Sequence, residues 1–417
     1  MLTKKNVLIN RIQISKISCI VIFFTFILAA CGYKVKSSTT SDNAKTQATN
    51  QLNNDATALE VRMKASSDDI PINAVNGDLV AKPVNFTLTL VASLAPPTVA
   101  GKLLQATNLF LNKTKAYVTY NMAGEDQLGA LDVIDVTNKN SPKIVSELLF
   151  LDSDANAVSL DGNTAYVVGA TSAGEIPAYL KTITLDKNGI ITDSVKTYAL
   201  PSFAGTGVLS TDSYVIAASG DEGGISIFNK TTMELLSTHN QADARSISSY
   251  DKKGNIVALS GQPGRAFVYD NDGNFSTTYS LGGNSIAGSK STIEAGKDYF
   301  VASLGNTGFA VVCNDGTLLS AIPAITVKGL PAANTVTNAV STDTTYLFAA
   351  NGEAGIYVYT ITESGGNKGG CKNQTLTLNG SLGLGDTLSA NHVYFRSPYL
   401  FVADGLGGLK IIIISST

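Results

Sequence analysis

The 417-residue chain has no tryptophan, two histidines and few charges, 15% of residues against about 25% in an average soluble domain. Each shortage excludes something. His239 and His392 are too few for a histidine-cornered metal centre, and a structural or solvated role is the plainer reading of both. A net charge of −3 offers no basic surface to a polyanion, which excludes nucleic acid as a partner. What is abundant instead is glycine, 38 residues, set among Val, Ile, Thr and Ser in a chain that is 44% hydrophobic. That composition reads as all-β and extracytoplasmic.

The first thirty residues read as a processing signal. Lys4, Lys5, Arg11 and Lys16 precede the apolar run "ISCIVIFFTFILAA" at 17–30, which is short for a membrane span. The run closes on Leu28-Ala29-Ala30-Cys31, which resembles the bacterial lipobox. The resemblance implies removal of residues 1–30 and acylation of Cys31, palmitate included, leaving a membrane lipoprotein. Each buried CH₂ contributes roughly 0.8 kcal/mol, so several acyl chains hold a protein on a bilayer. Gly32, where an aspartate would signal inner-membrane retention in enterobacteria, implies the outer membrane of the cell envelope. Residues 31–81, with "KSSTTSDNAKTQATNQLNNDATA", are too polar to bury a core and read as a disordered tether, with a helical turn conceivable only at "ALEVRMKA" (58–65).

From residue 82 to 417 the chain repeats. "YVIAASGDEGGISIF", "NIVALSGQPGRAFVYD", "YFVASLGNTGFAVV", "YLFAANGEAGIYVY" and "YLFVADGLGGLKII" begin at 214, 255, 299, 346 and 399. Each carries glycine at the same two offsets: Gly220/Gly223, Gly261/Gly264, Gly305/Gly308, Gly352/Gly355 and Gly405/Gly408. Two earlier copies start at Tyr117 and Tyr166 with longer loops, so seven units follow one another about 47 residues apart. A unit of that length fits four short antiparallel strands, and seven fit a β-propeller. In the second unit the strands fall at 155–161, 164–170, 179–185 and 190–200, separated by turns such as "DGN" and "DKNG".

Gly129-Ala130-Leu131-Asp132-Val133-Ile134-Asp135-Val136, followed by Ser141-Pro142 and a Val/Leu strand, resembles the LVIVD repeat family of bacterial and archaeal surface proteins; "GGLKIII" (407–413) is the next nearest match. The resemblance is sharp at the ends of the repeat array and weaker between. It implies a propeller at the cell surface and carries no single activity. Tryptophan-dependent propellers (WD40, sialidase, quinoprotein) are disfavoured as relatives by the absence of that residue.

Chemistry is harder to place. "DNDGN" (270–274) opens like a calcium loop, but Leu281-Gly282-Gly283 stands where a bidentate glutamate is needed, so it reads as a turn. The glycine loops lack the helix and lysine of a phosphate cradle and read as backbone devices. In a propeller they converge with the blade-to-blade connections at the channel mouth. That face would carry Glu175, Asp221, Glu222, Arg265, Asn306, Glu353 and Asp404, with Asp152 and Asp154 from the connections. Its acidic balance suits a cation such as Ca²⁺ or a basic partner, with solvated loop charge as the plainer alternative. No cofactor or resident metal is expected. The favoured function is a binding or scaffolding module for an envelope protein or glycan; the alternative is a propeller hydrolase or lactonase with a carboxylate-bound metal at the channel mouth.

Two structural expectations complete the reading. Once Cys19 leaves with the signal and Cys31 is acylated, Cys313 and Cys371 remain, on third-to-fourth-strand turns of neighbouring units, and are expected to form a disulfide. The last unit lacks a fourth strand, whereas "KPVNFTLTLVASLA" (82–95) is a strand without a unit. Pairing of 82–95 with 409–415 would close the ring and leave no open edge at the seam.

Overall fold

A computed structural model describes residues 49–74 and 85–416, apart from 125, 250–253, 287, 297, 369 and 386–387. The signal segment, Cys31 and residues 32–48 therefore lie outside the described residues. Seven antiparallel blades form a ring, a seven-bladed β-propeller. The second blade has its strands at Ala157–Asp161, Thr164–Ala170, Ala178–Leu185 and Ile191–Ala199, close to the positions the turns predict.

Burial explains why the middle strands read as continuous apolar runs. Tyr299–Ser303 and Phe309–Cys313 are covered on both faces, because each blade packs against two neighbours. Outer strands such as Leu235–Asn240 alternate instead, with one face toward water. The core is accordingly divided into seven clusters, one at each junction between blades. At the junction of blades four and five, Val257, Leu259 and Ala266 meet Phe300, Ala302 and Val312.

The paired glycines each have a separate task. The first carries the loop to the next blade: Gly305 bridges to Thr337, Gly352 to Ala390 and Gly405 to Ala106. The second lies where the end of the outer strand passes over the loop. At Gly408, with φ +71°, a Cβ would stand 2.0 Å from the Leu94 carbonyl oxygen. In blade three this task falls to Gly224, where a Cβ would meet the His239 carbonyl at 2.2 Å, one residue later than the repeat spacing indicates. These loops are backbone junctions.

Ring closure follows the expected pairing. Phe86–Leu94 runs antiparallel to Leu409–Ser416, with Phe86 opposite Ser416 and Leu94 opposite Leu409. The seventh blade thus takes its fourth strand from the N-terminal side of the domain. Cys313 and Cys371 are joined with 5.9 Å between their Cα atoms, linking the third strand of blade five to the long hairpin of blade six.

Residues 49–74 correct the tether reading over that stretch. Asn50–Asn53 adds a fifth strand outside Lys143–Phe150 of blade one, and Met63–Asp69 adds another outside Phe86–Leu94 of blade seven. Between them lies one turn of helix, Ala56–Leu59, capped by the Asp55 carboxylate, which accepts from the Thr57 and Ala58 amides. Asn73 then exchanges both backbone hydrogen bonds with Ser381 of blade six. The segment is a strap across the outer edges of three consecutive blades. It was hidden by its own polarity: an edge strand buries few side chains and is held through its backbone.

One side chain secures the strap. Arg62 reaches inward and donates to Asp132, on the third strand of blade one, and to Glu147, on its outer strand, while its Nε donates to the Ala95 carbonyl at 2.9 Å. Asp132 is fully buried and Glu147 nearly so; burial, then the neighbouring Asp132, push the Glu147 carboxyl up to about 7 against the pull of Arg62. Removing one partner of such a cluster strands the other charges in the interior. Arg62→Met should therefore lower stability by about 3–5 kcal/mol in urea denaturation, with Arg62→Lys intermediate. A free tether would show no loss.

Candidate functional site

The inner strands wall a central channel. Around it runs a ring of seven equivalent positions, one per blade, at or just before the start of the inner strand. Six send a side-chain hydrogen bond to a backbone carbonyl of the following blade. Thr107 donates to Ala155 (2.8 Å), Asn156 to Gly205 (3.0 Å) and Thr206 to Ala244 (2.8 Å). Arg245 donates to Ser289 (2.6 Å), Asn338 to Ala390 (3.2 Å) and Asn391 to Ala106 (2.9 Å). Thr107, Thr206 and Arg245 each occupy a register shift in the inner strand, which turns an extra side chain toward the axis. The seventh position is Lys290.

On the face formed by the glycine loops and the blade connections, the channel opens into a cavity of about 320 Å³. Gln105, Asn121, Asn334, Asn338 and Asn391 line it with carboxamides, and Ser389, Lys290 and Glu353 complete its polar wall. Glu353 is held at the rim by Asn334, whose Nδ2 donates to it at 2.8 Å. A second cavity of about 210 Å³ lies along the inner strands, bordered by Thr107, Asn156, Thr206 and Arg245, and it shares Gly288 and Lys290 with the first. Polar groups around an open cavity suit reversible recognition of a hydrogen-bonding ligand.

Charges inside the channel are displaced from their ordinary behaviour. Burial lowers the Lys290 ammonium to about 8, with Asp154 opposing. Burial raises Asp154 to about 6, and burial together with the Lys290 charge lowers His392 to about 4, so the imidazole is neutral near pH 7. His392 does stand on the last inner strand, whereas His239 stacks near Tyr269 on an outer strand at 5.2 Å between ring centres.

The loop-face residues are scattered rather than convergent. Asp221 and Glu222 on one loop, Arg265 at a strand start and Asn306 on another loop are exposed, and none of them borders the cavity. Glu353 does. Asp404 is 1% exposed and lies beneath its own glycine loop; burial raises its carboxyl to about 7. It is a core group, because the loop folds back over the residue that precedes the first glycine. Among the described residues no three His, Cys, Asp or Glu side chains converge as a metal would require. Asp270 of the calcium-like stretch accepts from the amides of Asp272 and Asn274, so its carboxylate organises its own turn. The ring residues escaped the sequence reading because they share neither residue type nor constant spacing.

No family model matches the chain, and no curated protein sequence matches it either. Solved structures do resemble it in fold. The WD40 repeats of RRP9 align at 12% identity and TM-score 0.55 over 82% of this chain and 100% of that one. A putative 6-phosphogluconolactonase from Bacteroides uniformis aligns at 14% and 0.52, over 77% and 98%. A catalytically inactive virginiamycin B lyase from Staphylococcus aureus, solved with quinupristin, aligns at 11% and 0.54, over 79% and 99%. The chain is thus a β-propeller, and identities this low define the fold alone.

Glu294, on the inner strand of blade five, accepts from Ser341 Oγ at 3.1 Å and is pushed up to about 8 by burial. Between the ordinary carboxylate range and pH 8 the folded state therefore holds a proton that the unfolded chain has released. Stability should fall as pH rises through that window and level off above it. Glu294→Gln should flatten the profile between pH 5 and 8 by on the order of 1–2 kcal/mol, read from denaturation midpoints.

Proposed function

We propose that this chain is a lipid-anchored binding module of the cell envelope, acylated at Cys31 and presenting its propeller to a protein or glycan partner. The observation that carries the binding role is the channel mouth, an open cavity walled by carboxamides, one ammonium and one carboxylate. Such a lining offers donors and acceptors to hydroxyls and amides. The hydrolase reading would need converging carboxylates around a metal, and the described acidic side chains of the loop face stand apart. The anchor reading rests on the sequence of basic residues, apolar run and lipobox from Lys4 through Cys31, and on Gly32 for the outer membrane.

Two measurements test this. Cys31→Ala should abolish palmitate incorporation and shift the protein from the membrane fraction to the soluble fraction; unchanged fractionation would exclude the lipid anchor. Capture of envelope components by the wild-type chain should be lost on combined substitution of Asn334 and Glu353. It should survive combined substitution of Asp221 and Glu222, which lie away from the cavity. The reverse pattern would move the binding surface to the outer rim.

A further inference from the structure

Six of the seven ring positions use their side chain to grip the next blade, and five of these six are Asn or Thr. The pattern breaks at blade five. The carbonyl that Lys290 would address by analogy is that of Thr337, which accepts from the Gly305 amide, whereas the equivalent Ala390 carbonyl accepts from both the Gly352 amide and Asn338. The backbone N–H of Lys290 donates to Asn338 Oδ1 at 3.0 Å, which keeps blades five and six in contact without the side chain. Among the described residues the ammonium itself makes no hydrogen bond or ion pair, although it borders both cavities. The half-buried ammonium faces the cavities without a protein acceptor, in a place where Asn or Thr would satisfy the fold.

We propose that Lys290 is the anion-recognising group of a small-molecule site in the channel, and that this site takes an acidic sugar, a monosaccharide-sized carboxylate carrying several hydroxyls. The inference rests on the binding-module reading and names its ligand. A volume of about 320 Å³ lies at the small end of ligand pockets and accommodates one sugar ring. Gln105, Asn121, Asn334 and Ser389 present both donors and acceptors, the pairing that hydroxyl groups require. Among the described residues no aromatic side chain lines either cavity, so a stacked nucleobase has no platform there. Glu353 at the rim accepts from hydroxyls and repels a second negative group, which favours a singly charged ligand over a polyanion. Lysine provides a compact point charge for one carboxylate, where arginine would impose a planar fork.

Titration calorimetry on the full chain tests the assignment with glucuronate, glucose, acetate and inorganic phosphate. Glucuronate should bind, with glucose and acetate each weaker by about tenfold or more. Lys290→Asn should retain the thermal midpoint, since a carboxamide can make the missing grip on blade six, and should lose glucuronate binding by about tenfold or more. Lys290→Met should lose binding in the same way, and Lys290→Arg should recover part of it. Absence of glucuronate binding to the wild-type chain, or equal binding to Lys290→Asn, would overturn the assignment. Phosphate or acetate binding as tightly as glucuronate would overturn the sugar. Envelope capture that persists while glucuronate fails to bind would leave the binding-module reading intact and remove only this ligand.

Discussion

Everything in this molecule depends on closing a circle. Seven blades whose middle strands are buried on both faces cannot stop at an open edge, because the first and last blades would each expose an apolar face. The antiparallel ladder between Phe86–Leu94 and Leu409–Ser416 supplies that closure, and it draws the cluster containing Leu94, Leu409 and Ile411 together with Leu109 and Val118. The strap formed by residues 49–74 then covers the outer edges on both sides of the seam. Arg62 crosses from the strap into blade one, so the closure is reinforced by charge where the ladder alone would rely on backbone hydrogen bonds.

The same circular constraint shapes the channel. Inner strands meet at the axis, where neighbouring backbones converge too closely for apolar side chains to interdigitate. Polar groups serve better there, five short Asn and Thr side chains and one arginine, each satisfying a carbonyl of the following blade at 2.6–3.2 Å. The hydrogen-bond ring is therefore a structural necessity of the fold, and its one interruption at Lys290 stands out against six regular neighbours. Burial displaces the titration of Asp154 and His392 most, and the Lys290 ammonium acts on both, opposing the rise of Asp154 and adding to the fall of His392.

Much of the architecture was legible in the sequence. Paired glycines marked five blades and an aromatic start marked the second strand of six, while the orphan strand before the first repeat located the seam. The glycines were legible because a Cβ at Gly408 or Gly308 would collide with a passing carbonyl, a constraint that leaves one residue type. Other features left no such mark. The strap is polar and low in hydrophobic pattern because it pairs through main-chain atoms. The gripping positions are Thr, Asn or Arg, since any donor of suitable reach can hold a carbonyl, and inner-strand bulges shift their spacing. Asp404 illustrates the opposite error: a charged residue beside a loop glycine looks exposed in sequence, yet the loop turns back and encloses it.

The register of the seam has one more consequence. Phe86 lies directly across the ladder from Ser416, so the start of the domain's first blade strand and the last described residue of the chain are neighbours. A short turn between them would make an ordinary hairpin, and the propeller would become a continuous loop of backbone. The chain is in this sense a circle with a single nick, and the nick could sit at any exposed turn of the other six blades without altering a blade junction. Its present position places the strap at the outer rim of the wheel, away from the channel.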